Sequence, residues 1–241
     1  MNNNEIFPQG YSTAMQAENE LSLSNYIARV MRRVYGKMSL GLLTTALTSF
    51  AVLSSPSIMS VLFSHQAVFW VLMAVELGLV IAISAAINKL STATATALFY
   101  LYSVVNGIVL TPIFMVYTMS SIGFTFLITS LTFGAMTIFG YVTKQDLTKF
   151  GAILFMGLIG LIICSLVNIF LQSSALEWGI SIVGVLIFVG LTAWDTQKIK
   201  EMASMADQSQ VGKVATLGAL SLYLDFINLF LYLLRFFGSR D

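Results

Sequence analysis

The sequence predicts an all-α membrane protein, a bundle of seven transmembrane helices. Three observations carry that prediction. Of the 241 residues, 57% are hydrophobic and only 10% are charged, against roughly 25% charged in an ordinary soluble domain. Mean hydropathy is +0.86. Seven mostly apolar windows of about 20 residues, each able to cross a hydrocarbon core of ~30 Å, are separated by short polar joins. A soluble domain of this size needs far more charge to cover its surface.

Residues 1–28 contain no Lys or Arg. A signal peptide has a positive start followed directly by an apolar run, so this segment reads instead as a flexible, polar cytoplasmic tail. Residues 29–241 then form a single transmembrane domain. It opens on a basic cluster, Arg29, Arg32, Arg33 and Lys37. The windows fall at about 38–55, 67–88, 92–116, 120–143, 150–171, 176–197 and 214–237. The joins are short, and the longest covers about 198–213. Pro112, which lacks an N–H and crowds the carbonyl one turn back, should bend or open the third helix.

Charge gives the orientation, because cytoplasmic loops collect Lys and Arg. With the N-terminus inside, ten of the twelve basic residues are cytoplasmic: the four above, Lys89, Lys144, Lys149, Lys198, Lys200 and Lys213. Arg235 and Arg240 are left outside with the C-terminus. A multi-pass plasma-membrane protein in contact with the lipid bilayer follows. A formal net charge of +1 and the lack of a long basic run exclude nucleic acid as a partner. One cysteine, Cys164, and one histidine, His65, exclude an internal disulfide framework and a zinc cluster. HExxH, GxSxG, P-loop and dinucleotide signatures are absent from the sequence, so neither an enzyme nor a resident cofactor is expected. Asp195 and Asp225 lie in WDT and YLDF, not in the YD and GxGD pattern of an intramembrane aspartyl protease.

The polar residues within the spans are the candidates for function. In the last window Ser221, Asp225, Asn228, Tyr232 and Arg235 are spaced by four, three, four and three, which puts them on one helix face. A single polar seam on an otherwise apolar helix either lines a pathway or switch, or glues the bundle by interhelical hydrogen bonds. Glu76 lies about 14 Å into helix two by helical rise, where it is a hydrogen-bonded structural acid or a transport group. Asp195 is placed near the cytoplasmic end of helix six, where it is functional or merely interfacial, with Trp194 at headgroup level. Helix three carries Thr96, Tyr100, Ser103 and Gly107 on one face with Asn106 beside them. In helix four, Ser121, Thr125, Thr129 and Thr132 are expected to bond their own helix. Glycines 157, 160, 179, 184 and 190 permit close helix packing.

Three stretches, VYGKMSLGLLTTAL from Val34, AWDTQKIK from Ala193 and GALSLYLDFINLFLYLLRFFG from Gly218, resemble the bacterial branch of the Bax inhibitor-1 (transmembrane BAX inhibitor motif) family. ELGLVIAIS from Glu76 adds to the match, which covers all but the N-terminal tail. The resemblance implies a central C-terminal helix surrounded by two groups of three. It places the family's paired aspartates on Asp195 and Asp225, as pH-sensing and gating residues. It implies a pH-sensitive leak of calcium or other cations across a bacterial inner membrane. The cell-death role of animal members is not carried over, and the chain ends RFFGSRD without the long basic tail of some of them.

Helical rise sets a condition on that pair. Asp225 is about 16 Å inside the cytoplasmic edge if helix seven starts at Val214, while Asp195 lies within one turn of that edge. Pairing then requires a later start to helix seven, a shorter helix six, a vestibule that dips inward, or local irregularity in AWDTQK. Two aspartates supply few of the six or more oxygens that calcium prefers, so only weak, transient metal contact at Asp195 and Asp225 is expected. Two other functions fit the same residues: a proton-coupled transporter of a small solute, with Glu76 as a second titrating station, and a non-transporting regulator that binds other membrane proteins. A monomer is the expected state.

Overall fold

The computed structural model describes residues 9–239. Among them are nine helices: α1 (Gln9–Leu53), α2 (Pro56–Ser64), α3 (Gln66–Ala86), α4 (Thr92–Leu110), α5 (Ile113–Val116), α6 (Met119–Val142), α7 (Thr148–Leu171), α8 (Ser174–Met205) and α9 (Val211–Phe237). Seven segments are long and apolar enough to span a membrane; α4 and α5 together make the third. These match the seven windows, and the chain is an all-α, multi-span membrane protein.

The differences lie at helix ends. The N-terminal segment expected to be a flexible tail is helical from Gln9, and residues 1–8 lie outside the described region, as does Arg240. α1 therefore carries the basic cluster as part of one helix, with Val30 and Val34 fully buried. α2 is an additional short helix started by Pro56, whose missing N–H costs nothing in a first turn. The 198–213 join shrinks to 206–210, because α8 continues through Lys198 and Lys200 to Met205. Ile199 and Ala203 keep that overhang buried, so packing holds a helix where hydropathy alone ends one.

Pro112 acts as expected. α4 stops at Leu110 and the chain restarts as α5. The Ile108 carbonyl, which Pro112 cannot serve, accepts from the Thr111 N–H at 3.2 Å. The Gly107 carbonyl accepts from Ser49 Oγ at 2.6 Å and Thr111 Oγ1 at 3.0 Å. Hydroxyls thus satisfy backbone groups around the break, as a membrane interior requires.

α9 is the most buried span. It packs most extensively on α8, and then on α1, α6 and α4. α1 also packs on α4, α3 on α4, and both α6 and α7 on α8. Lipid-facing positions such as Leu131, Ile138, Phe170 and Leu186 are exposed and apolar, which is the pattern of a bundle solvated by hydrocarbon.

Candidate functional site

α9 presents different chemistry on two sides. Tyr223 and Asp225 are two residues apart, about 200° around a helix, so they face opposite ways. Asp225 is 4% exposed, and its Oδ2 is buried without a hydrogen-bond partner. Asp195 is its electrostatic neighbour across the α8–α9 interface. The structure therefore brings the sequence's two aspartates together.

It does so by correcting the position of Asp195. That residue is not at a helix end. α8 runs ten residues past it, about 15 Å, and is regular helix throughout AWDTQK. Asp225 is likewise deep, 14 residues after the start of α9. No irregularity is needed, because both aspartates lie well inside their helices.

The rest of AWDTQKIK is structural. Trp194 packs between helices. Its indole lies against Gly151 of α7, where a Cβ would overlap the ring. Gln197 accepts from the Leu147 N–H at 2.8 Å and donates to the Gln145 carbonyl at 2.8 Å, fixing the α6–α7 loop. Lys200 donates to the Tyr141 carbonyl at 2.8 Å and lies over the Tyr141 ring. Lys198 covers the Trp194 ring at 4.9 Å and is near enough to attract Asp195. Within the loop, Asp146 accepts from the side chain and backbone N–H of Thr148, which holds its carboxyl below the usual range.

The remaining stripe residues differ in role. Ser221 and Asn228 are half-buried, and Asn228 donates to its own helix at Leu224 O, 2.8 Å. Tyr232 lies on α8, with its ring against Gly184. Arg235 is exposed at the far end, its guanidinium 5.4 Å from the centre of the Tyr232 ring. With Ser165, Asn168, Gln172 and Glu177 it lines a cavity of about 470 Å³.

Glu76 is on the other side of α9. It is 9% exposed and its Oε1 accepts from Asn106 Nδ2 at 2.7 Å. Asn106 Oδ1 accepts from the Tyr223 hydroxyl at 3.0 Å, and Tyr223 meets Thr45 Oγ1 at 2.5 Å. One buried chain of bonds therefore joins α3, α4, α9 and α1. Sequence reading identified Glu76 and Asn106 but not Thr45 or Tyr223. Thr45 sits among ordinary helix hydroxyls, and a tyrosine in an aromatic-rich span gives no signal of its partners. Lys37 was also missed. Read as part of the cytoplasmic cluster, it also donates to Thr96 and Thr216 at 2.6 Å each, between α1, α4 and α9. In α6, Thr129 bonds its own helix as expected, while Thr125 Oγ1 is buried without a partner.

Comparison with known proteins gives the lineage. Residues 27–241 match the family model described as "Inhibitor of apoptosis-promoting Bax1". The chain belongs to the Bax inhibitor-1 family. Within this family it is similar to the inner membrane protein YbhL of Escherichia coli K12, at 50% identity over 87% of this chain and 91% of the relative. An uncharacterized protein of Borreliella burgdorferi is 49% identical over 93% of this chain and 97% of its own length. Rickettsia prowazekii protein RP147 is 44% identical over 89% and 91%. The Bax inhibitor-1 match and these relatives place the chain in the family's bacterial inner-membrane branch.

Proposed function

We propose that this Bax inhibitor-1 protein is a pH-sensitive leak for calcium or a similar cation, controlled by a proton held between Asp195 and Asp225. The observation that carries the proposal is Asp225 itself, buried, with an unpartnered Oδ2 and a second carboxyl opposite. A buried charge without a partner is costly, and two carboxyls in contact can share one proton and titrate as a unit. With that proton in place the pair clamps α8 to α9. Without it, two negative charges repel or take up a cation.

Calcium is cargo in this reading. Among the described residues no group of three or more His, Cys, Asp or Glu converges. The pair alone offers four carboxylate oxygens, below the six to eight of a tight calcium site, and weak occupancy suits conduction. In this reading α9 is the central element, with α1, α3 and α4 on one side and α6, α7 and α8 on the other; the packing described above supports it. The proposal is tested by calcium flux into proteoliposomes across a pH series. Flux above protein-free liposomes that changes with pH is expected, and flux equal to that of protein-free liposomes at every pH rejects a leak.

The basic-residue bias supports a cytoplasmic N-terminus and an external C-terminus. In a Cys164→Ser background, a cysteine at position 146 should resist an impermeant thiol reagent applied to intact cells, while one at position 239 should react. Reaction at 146 reverses the orientation, and no reaction at 239 means that α9 does not cross.

A second reading, a proton-coupled transporter, is favoured by one observation, the bonded chain from Glu76 to Tyr223 on α9. Saturable, proton-dependent uptake of a small solute would select it. The leak reading makes Glu76 auxiliary. Glu76→Gln keeps the Asn106 bond and should leave the pH midpoint of flux in place. A displacement above about one unit, worth roughly 1.4 kcal/mol, makes Glu76 part of the sensor.

A further inference from the structure

We propose that Phe188 and Tyr232 form an aromatic closure of the α8–α9 seam, separate from the aspartates, that bars water and ions arriving from the Arg235 end. The inference rests on the leak reading and adds a second barrier to it. The two rings stack at 5.8 Å between centroids and 25° between planes, and Phe188 is 5% exposed. Gly184 makes the arrangement fit. A Cβ there would lie 2.7 Å from the Tyr232 ring, so the ring rests on bare α8 backbone.

The register places this stack over the carboxyls. Phe188 precedes Asp195 by seven residues and Tyr232 follows Asp225 by seven. α8 and α9 run antiparallel, so both offsets lead the same way, about 10 Å by helical rise. Beyond the stack the seam turns polar again, with Arg235 5.4 Å from the centre of the Tyr232 ring and the cavity lined by Ser165, Asn168, Gln172 and Glu177. The order along the seam is polar cavity, aromatic layer, Asn228, and then the aspartate pair. A hydrophobic constriction between two wettable regions holds a path closed by excluding water.

A stack that only glues helices predicts a different result from one that closes a path. The test uses Cys164→Ser, Asn228→Cys protein, with the single thiol behind the aromatic layer, and a charged thiol reagent applied from the Arg235 side. Adding Phe188→Ala or Tyr232→Ala should raise the labelling rate about ten-fold or more by wetting the constriction. Tyr232→Leu serves if the alanine variant does not fold. Phe124→Ala removes an aromatic contact of α9 with α6 away from the seam and should leave labelling unchanged. Calcium flux should rise several-fold in the Phe188 and Tyr232 variants at the pH where the parent is most closed, with the pH midpoint retained. Melting curves verify folding. Labelling that stays at the parent rate in folded variants overturns the closure. Increased labelling with no calcium flux keeps the closure and rejects the leak.

Discussion

Asp225→Asn should flatten the pH–flux curve of the reconstituted protein, and Asp195→Asn should do the same. Asparagine keeps the shape of the side chain but removes both the charge and the exchangeable proton. The effect is expected to be large because the pair itself supplies both the charge and the proton. Its Oδ2 has no hydrogen-bond partner. Lys198 attracts Asp195, from a position over Trp194. Arg235 is ten residues further along α9, about 15 Å, and faces the Tyr232 ring. Like charges about 4 Å apart interact by about 4 kcal/mol at the effective dielectric of a protein, a scale comparable to the packing it would oppose. If both single variants keep the wild-type curve, the aspartates have no part in gating and their proximity is only structural.

Tyr223→Ala should produce the largest loss of stability among the α9 variants. Tyr223 is fully buried, packs edge-on against Phe99 and Tyr102 at 5.7 and 5.6 Å, and bonds both Asn106 and Thr45. Truncation to alanine creates a cavity at the meeting point of α1, α4 and α9, at a cost of about 3–5 kcal/mol. It also leaves Asn106 Oδ1 without its donor, while Thr45 Oγ1 keeps the Gly41 and Ser103 carbonyls. Tyr223→Phe keeps the rings and removes only the hydroxyl. It should cost about 1 kcal/mol, since hydrogen bonds inside membranes contribute modestly. Thermal melting in detergent separates the two variants. An alanine variant that melts with the wild type would show that this network is not what fixes α9 to the α1, α3 and α4 side.

The seven spans were readable because membrane solvation imposes a simple rule: a helix facing lipid must be apolar over a fixed length. The same rule misjudged where helices end. The hydropathy window closes at Lys198, but α8 continues because Ile199 and Ala203 still find buried neighbours beside α9. That one extension explains why Asp195 looked close to a helix end in the sequence and is well inside α8 in the structure. Asp225 was readable because a lone carboxylate in an apolar run is expensive, and the four-three-four-three spacing put it on a polar stripe. Partners were harder to read. Tyr223 and Thr45 are 178 residues apart, and nothing local marks either as the other's contact. Gly184 read correctly as a packing residue, but its flat-lying neighbour Tyr232 depends on the α8–α9 register, which periodicity within one helix does not give.

The central claim is that Asp195 and Asp225 act as one unit, and a double-variant cycle tests it most directly. Calcium flux against pH is measured in proteoliposomes for wild type, Asp195→Asn, Asp225→Asn and the double variant, with folding verified by melting. Since each substitution breaks the same proton-sharing pair, the double variant should resemble either single one, and its effect should fall well short of their sum. Shifts that instead add within about 0.3–0.5 kcal/mol, as for independent sites, would contradict a shared proton.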